Sequence, residues 1–370
     1  MKRKILIPLA ILVVIIAAIA IYFTQKPKEP ETIKIGAILP LTGIASQLGQ
    51  MMKEGLDFAM EYWNNNLINQ KKLFIKIEDS KSNPKDGITS LNFLISQNYK
   101  FFIIPHSIMA INAKPIIVNN PNTLAFLDAS HPDIVIPPNP RIFRHSQNAE
   151  WEAENILKYI ISSGNNIKKI TLFYINDEYG RSFAKRVEYL LNLDETRGIQ
   201  LSLIPYEVNT LDFKNLVLKS EINKDKGSVA IIVGVGKPMG LLIKKIRELG
   251  YKGDIFAAMG YIATGVRDFL SSVERENIYY TDLYWNDNPW LKWLEKKYFS
   301  LNKRDIPGVT KLEFLSALLL AYAINESNSK DVNLVAQKIR ELSPKLIGIN
   351  VTENGELNPK IIIKRDSYKK

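Results

Sequence analysis

The sequence predicts an α/β protein built as two doubly wound lobes, and three features carry that expectation. Short apolar runs alternate with amphipathic segments, the pattern of parallel strands covered on both faces by helices. The alternation runs twice, over about 33–145 and again from the helical segment WEAENILKYIISSG to about 280. A helical third follows and ends in another apolar run, KIIIKRD (360–366), which is too much for one sheet. At 370 residues the chain has room for two domains of about 100–200 residues each. A composition of 46% hydrophobic and 24% charged residues is that of a globular protein.

The first thirty residues are a separate object. MKRK precedes an uncharged run of nineteen residues, Ile5 to Phe23. As a helix that run is about 28 Å long, close to the roughly 30 Å hydrocarbon core of a bilayer. A secretory signal has a shorter apolar core of about 7–15 residues and a small-x-small cleavage site. Ala18-Ile19-Ala20 offers such a site, but Ile21, Tyr22 and Phe23 follow it. The expectation is an uncleaved transmembrane anchor over residues 1–23. Lys2, Arg3 and Lys4 then lie in the cytoplasm and the remainder outside. A cleaved signal would export the same remainder. TQKPKEPE (24–31), polar with two prolines, reads as a tether.

Strand candidates then come in order: IKIGAIL (33–39), KLFIKIE (72–78), KFFII (100–104), LAFLD (124–128), KITLFYI (169–175), SVAIIVGV (228–235) and DIFAAM (254–259). Between the first two, Met52, Leu56, Ala59 and Trp63 fall on one helical face, with Lys53, Asp57 and Glu61 opposite. GLLIKKIRELG ends at Gly250, a good helix stop.

Open parallel sheets bind ligands beyond the carboxyl ends of their strands, where helix starts leave N–H groups unpaired. The residues that follow each strand are therefore the site candidates. The first strand runs into a loop with Ser46 and Gln47, the third into His106 and Ser107, the fourth into Ser130 and His131. In the second half the corresponding positions hold Tyr179 in NDEYG, Lys237 in GKPMG, and Tyr261. Each has a plainer reading as well: Tyr179 as helix-start packing, His106 as an interior residue, Lys237 as a solvated surface lysine. Together they suit two facing lobes that clasp a small polar ligand.

Several function classes are excluded. The chain has no cysteine, so no disulfide or thiolate chemistry. Its three histidines form no helical i, i+4 pair, which leaves no metal site. GVGKPMG (234–240) misplaces the third glycine of a dinucleotide loop, and Asp254 begins a strand rather than ending one. No P-loop, no Gly-x-Ser-x-Gly and no hydrolytic carboxylate pair is present, so neither an enzyme nor a cofactor is expected. The net charge is +11, of which residues 1–31 carry +3, leaving +8. The lysines are scattered, without the Arg-rich, aromatic-interleaved clustering of a nucleic-acid face.

The segment IKIGAILPLTGIASQLGQMMKEGLDFAMEYWN resembles the opening of type I periplasmic binding proteins of the branched-chain amino acid (leucine/isoleucine/valine-binding) group. EDSKSNPKDG, LFYINDEYGRSFAKRVEYLL and DFKNLVLKSEINKDKGSVAIIVGVGKPMGLLIKKIRELGYKGDIFAAMG extend the likeness over about 32–365. The resemblance implies two Rossmann-like lobes joined by a three-crossing hinge. Lobe 1 would be 32–147 plus 284–350, and lobe 2 would be 148–283 plus 351–366. It implies a solute-binding protein that closes on an amino acid or amino-acid-like solute and delivers it to an ABC permease. A membrane-tethered sensor of the same fold is the alternative. Ser130 and Tyr179 match ligand-contacting positions, and Ser107 stands near a third. No acid lies between Ile255 and Thr264, where members that bind α-amino acids carry one, so no partner for an ammonium group is expected there.

Overall fold

The computed structural model describes residues 30–366 apart from 67, 164–166, 194–197, 225–226, 286 and 358. The expected anchor and nearly all of the tether lie outside the described residues. Five strands form the first sheet: β1 (Thr32–Leu39), β2 (Lys72–Asp79), β3 (Phe101–Ile103), β4 (Leu124–Phe126) and β5 (Ile142–Phe143). They are all parallel, in the order β2-β1-β3-β4-β5. The apolar run of β1 is buried on both faces, with Ile35, Ala37, Ile38 and Leu39 fully sealed. One face carries α1 (Ser46–Asn66), and the other carries α2 (Pro84–Ser96) and α3 (Ser107–Asn119). Met52, Leu56, Ala59 and Trp63 form the buried stripe of α1, as their spacing requires.

The second sheet has the order β11-β10-β9-β8-β6-β7. It is built from β6 (Lys169–Ile175), β7 (Gln200–Tyr206), β8 (Ser228–Val233), β9 (Ile255–Ala257), β10 (Ile278–Leu283) and β11 (Ile361–Arg365). Only β11, the returning strand, is antiparallel to its neighbour. Its helices are α4 (Ala149–Ser162), α5 (Glu178–Leu191), α6 (Lys214–Ser220), α7 (Gly236–Glu248) and the short α8 (Gly260–Ala263). The chain then crosses back, and α9 (Pro289–Asn302), α10 (Gly308–Ser327) and α11 (Val332–Leu346) complete the first lobe's core. Helix α10 is long and apolar enough to cross a membrane, but it is mostly buried inside that core.

Three strands were not anticipated. β5 is only two residues long. β7 is a half-exposed edge strand carrying Pro205, tolerable because an edge leaves one side of the ladder free. β10, IYYTDL, is too polar to read as a strand, yet it is buried between β9 and β11.

Three segments join the lobes: 144–148, 284–288 and 348–360. Two of them are locked together by Arg144 and Glu356. Both are buried, and the guanidinium Nε donates to Glu356 Oε2 at 2.8 Å while Nη2 donates to Oε1. Backbone bonds flank the pair: Arg144 N to Gly355 O at 3.0 Å and Leu357 N to Arg144 O at 2.8 Å. Arg144 also donates to the carbonyls of Ala129 and His131, so it pins the end of β4 to the hinge.

Beside it lies a buried polar chain. Asp128 accepts from His145 N at 2.7 Å and from the Ser316 hydroxyl at 2.7 Å, and His145 Nδ1 lies 3.0 Å from that same hydroxyl. Since Ser316 spends its proton on Asp128, His145 Nδ1 is the donor to Ser316. Burial pushes the Asp128 carboxyl up to about 6 against the pull of these donors, and pushes the His145 imidazole down to about 4. One turn from Ser316, the carboxyl of Glu313 is fully buried with neither oxygen bonded. Burial, then the Asp128 charge, hold it well above the ordinary range.

Replacing Glu356 by Ala leaves a buried guanidinium without its anion and should cost about 3–5 kcal/mol in urea unfolding. The apolar double variant Arg144→Met/Glu356→Leu should recover most of that loss. The two buried titrations run in opposite directions. The raised Asp128 contributes stability that is present below its ordinary value of 3.8 and lost as pH rises through about 6. The lowered His145 contributes stability that is present above 6.5 and lost as pH falls through about 4. Between pH 6.5 and 4, His145→Asn should therefore gain stability relative to the wild type, and Asp128→Asn should lose it. Each change should be on the order of 3 kcal/mol.

Candidate functional site

The carboxyl ends of both sheets face each other. On the first lobe, the loop after β1 is held from behind. Asp79 accepts from Leu41 N at 2.9 Å and from the Thr42 hydroxyl at 2.6 Å, while the Ser82 hydroxyl donates to Thr42 O at 2.7 Å. Thr42 is thus a structural residue. A Cβ on Gly49 would meet Pro40 O at 2.0 Å, so only glycine lets α1 start this close to β1. Ser46 opens α1, and Gln47 beside it is exposed.

After β3, His106 holds φ 75°, a region that favours glycine, and Ser107 opens α3. The His106 Nδ1 is sealed without a partner, and burial pushes the imidazole down to about 4, so it stands neutral at pH 7. Ser130 follows β4, and its hydroxyl oxygen accepts from the Gln147 amide at 3.4 Å. His131 Nδ1 accepts from Asp133 N at 3.1 Å, which leaves the ring proton on Nε2.

On the second lobe, Asp177 caps α5 by accepting from Gly180 N at 2.9 Å. Gly180 packs so closely that a Cβ would meet Ile175 O at 1.8 Å. Between them Tyr179 turns inward, and its hydroxyl donates to Glu152 Oε2 at 2.6 Å. Glu152, in the first turn of α4, is fully buried and also accepts from Met259 N and the Thr281 hydroxyl. Burial pushes its carboxyl up, and these three donors pull it back. Lys237, second residue of α7, is exposed.

Tyr261 is not at the cleft wall. Its ring is fully buried against Tyr280, and its hydroxyl donates to Asp366, whose backbone N bonds Ile278 O at the amino end of β10. The side chain therefore runs down the sheet, away from the carboxyl ends.

The lobes meet at several of the remaining positions. A Cβ on Gly236 would lie 3.5 Å from Gln47 Oε1, and His131 Nε2 sits 3.8 Å from Glu178 Oε2. The structure thus brings Ser46 and Gln47 opposite the Gly236–Lys237 turn, and Ser130 and His131 opposite the Glu178–Tyr179 turn. A separate depression, bounded by Lys34, Lys71, Lys100 and Lys330, lies at the amino ends of β1 and β3 and shares no residue with this cleft.

Glu152 is the residue that the sequence reading missed. Two acids in a helix's first turn read as complements of the helix dipole, and nothing local says that the second reaches β9. The strand-end segment from Ile255 to Thr264 indeed holds no acid. A carboxylate nevertheless arrives there, on Met259 N, from a residue 107 positions earlier.

A family profile described as periplasmic binding protein matches residues 32–352. The leucine-, isoleucine-, valine-, threonine-, and alanine-binding protein of Pseudomonas aeruginosa is 23% identical over 331 residues, 88% of this chain and 86% of that protein. Leu/Ile/Val-binding protein homolog 3 of Brucella melitensis is 24% identical over 62% of this chain, and the match spans only 61% of that relative's length. Leu/Ile/Val-binding protein BraC3 of Rhizobium johnstonii is matched over 63% of its length. Among solved structures, the leucine-binding protein LivK of Thermotoga maritima superposes with a TM-score of 0.75 at 19% identity, over 90% of this chain and 94% of that one. A fatty acid ABC transporter substrate-binding protein from Thermomonospora curvata gives 0.73 at 17% identity, over 90% and 88%. These structures share the two-lobed fold. With the family profile spanning both lobes, the chain belongs to the periplasmic binding protein family.

Proposed function

We propose that the chain is an extracytoplasmic, membrane-tethered solute-binding protein of an ABC importer, which holds a small polar solute, amino acid or amino-acid-like, in the cleft between its lobes. The observation that carries this reading is the convergence of polar side chains from two separately built lobes at the carboxyl ends of their sheets. Lobes of 32–147 plus 284–350 and 148–283 plus 351–366 would move about the three crossings. Ser46, Gln47, His106, Ser107, Ser130 and His131 would meet the solute first. Tyr179 and Lys237 would then close over it. Closure is a population shift in which the ligand's extra contacts favour the closed form. The permease would read that form. The apolar run Ile5–Phe23 behind three basic residues supports the tether.

The test is a thermal-shift screen against amino acids, amides, urea-like solutes and small carboxylates. A ligand at 100 times its Kd should add about 2.7 kcal/mol of stability. Tyr179→Phe and Ser130→Ala should each reduce that gain by about 0.5–1.5 kcal/mol, the net worth of one hydrogen bond. A folded protein that responds to none of these classes would sink the reading.

A further inference from the structure

The amino ends of the first lobe's strands form a second face, remote from the cleft. Lys34 and Lys72 stand near the starts of β1 and β2, and Lys330 lies in the turn after α10; all three are exposed. Lys34, Lys71, Lys100 and Lys330 line the depression at this end, with the neutral side chains of Gln97, Asn98 and Asn328 between them. Three acids stand among these lysines. Glu31 pairs with Lys71 at 3.3 Å, Asp331 caps α11 by accepting from Asn333 N at 2.8 Å, and Glu326 is exposed in the last turn of α10. Five lysines against three acids leave the face net positive. Phe74, level with Lys34 in the β1–β2 register, and Phe93, in the last turn of α2, add two half-exposed aromatic rings.

The chain enters the fold at this face, because Thr32 lines the same depression. The proposed anchor ends at Phe23, and the eight residues 24–31 that lead to Thr32 span at most about 30 Å. As a flexible polar segment they average about 16 Å, roughly two Debye lengths at physiological salt. A lysine near an anionic bilayer favours the docked state by about fivefold, and aromatic rings settle at the headgroup level. The short tether also supplies a high effective concentration, so a face too weak to hold a free protein on a membrane can hold this one. We propose that this face seats the first lobe on anionic lipid headgroups, with their phosphates against the lysine-lined depression and Phe74 and Phe93 at the interface. The inference rests on the membrane-tethered reading above and turns a leash into a pose. The occupant follows from position, since the bilayer is the anionic surface that the tether keeps within reach. The cleft, at the opposite end of β1, is then held on the side away from the membrane.

The full chain reconstituted with lipid vesicles tests this. The sequence has no cysteine, so Gln97→Cys, at the rim of the depression, carries a single fluorophore, and Lys219→Cys, on α6 of the second lobe, carries the control. Vesicles of phosphatidylcholine are compared with vesicles of phosphatidylcholine and phosphatidylglycerol, each containing a lipid with a nitroxide quencher on its headgroup. Flotation with the neutral vesicles at about 1 M salt reports the anchor alone, because the Debye length there is only about 3 Å. Quenching at Gln97→Cys should be strong on the anionic vesicles, several-fold weaker on the neutral ones, and lost in high salt. The Lys219→Cys label should stay unquenched throughout. On anionic vesicles Lys34→Gln/Lys72→Gln/Lys330→Gln should lower the docked-to-undocked ratio about 100-fold while keeping the wild-type melting temperature. If that variant fails to fold, the comparison of the two vesicles decides alone. A chain that does not float with neutral vesicles overturns the tether and this proposal with it. A chain that floats, but whose Gln97→Cys label is quenched equally on both vesicles or on neither, overturns the docking face and leaves the tether standing. So does a folded triple variant that is quenched like the wild type.

Discussion

Arg144 and Glu356 stand 212 residues apart in the chain, and the two-lobed arrangement depends on their meeting. The pair ties the first crossing between the lobes to the third. Through the carbonyls of Ala129 and His131 it also fixes the loop that carries Ser130. A buried ion pair of this kind is weak evidence for stability, since apolar replacements of equal volume often do as well. What it supplies is placement. Guanidinium and carboxylate fit in one orientation, and that orientation determines where the cleft wall after β4 stands relative to the hinge.

Burial without compensation recurs around this frame. Asp128, His145 and Glu313 lie in the first lobe's interior, each pushed toward its neutral form by the loss of water. Glu152 lies in the second lobe, held by three neutral donors. The titrations of Asp128 and His145 offset one another across mildly acidic pH. At Glu152 too, burial pushes the carboxyl up while its three donors pull it back. Desolvation acts on all four, and at Asp128 as at Glu152 several donors work against neutralisation.

The doubly wound architecture was legible because strands buried on two faces must be apolar runs, and β1, β6 and β8 are. The helix stripe of Met52, Leu56, Ala59 and Trp63 was legible for the same reason. Where burial comes from neighbours that arrive late in the chain, the local signal fails. β10 looks too polar because Thr281 serves Glu152 and Asp282 pairs with Lys364 of β11. The site was legible as positions after strands, which topology alone supplies. Direction was not legible. Tyr261 sits after a strand as required, yet its hydroxyl is claimed by Asp366 from the last described residues of the chain. Glu152 sits in a helix, where rules about strand ends do not look.

The chain enters the fold at Thr32, the amino end of β1, while the cleft opens at the carboxyl end of the same strand. Eight residues at about 3.3 Å each put roughly 26 Å between the two points. Whatever restrains the polypeptide before Thr32 therefore grips the first lobe, and does so at its far end. On the proposed tethering, the first lobe would be the stator and the second the rotor. A pull on the polypeptide before Thr32 would pass along β1, second in the order β2-β1-β3-β4-β5, rather than through the three crossings between the lobes.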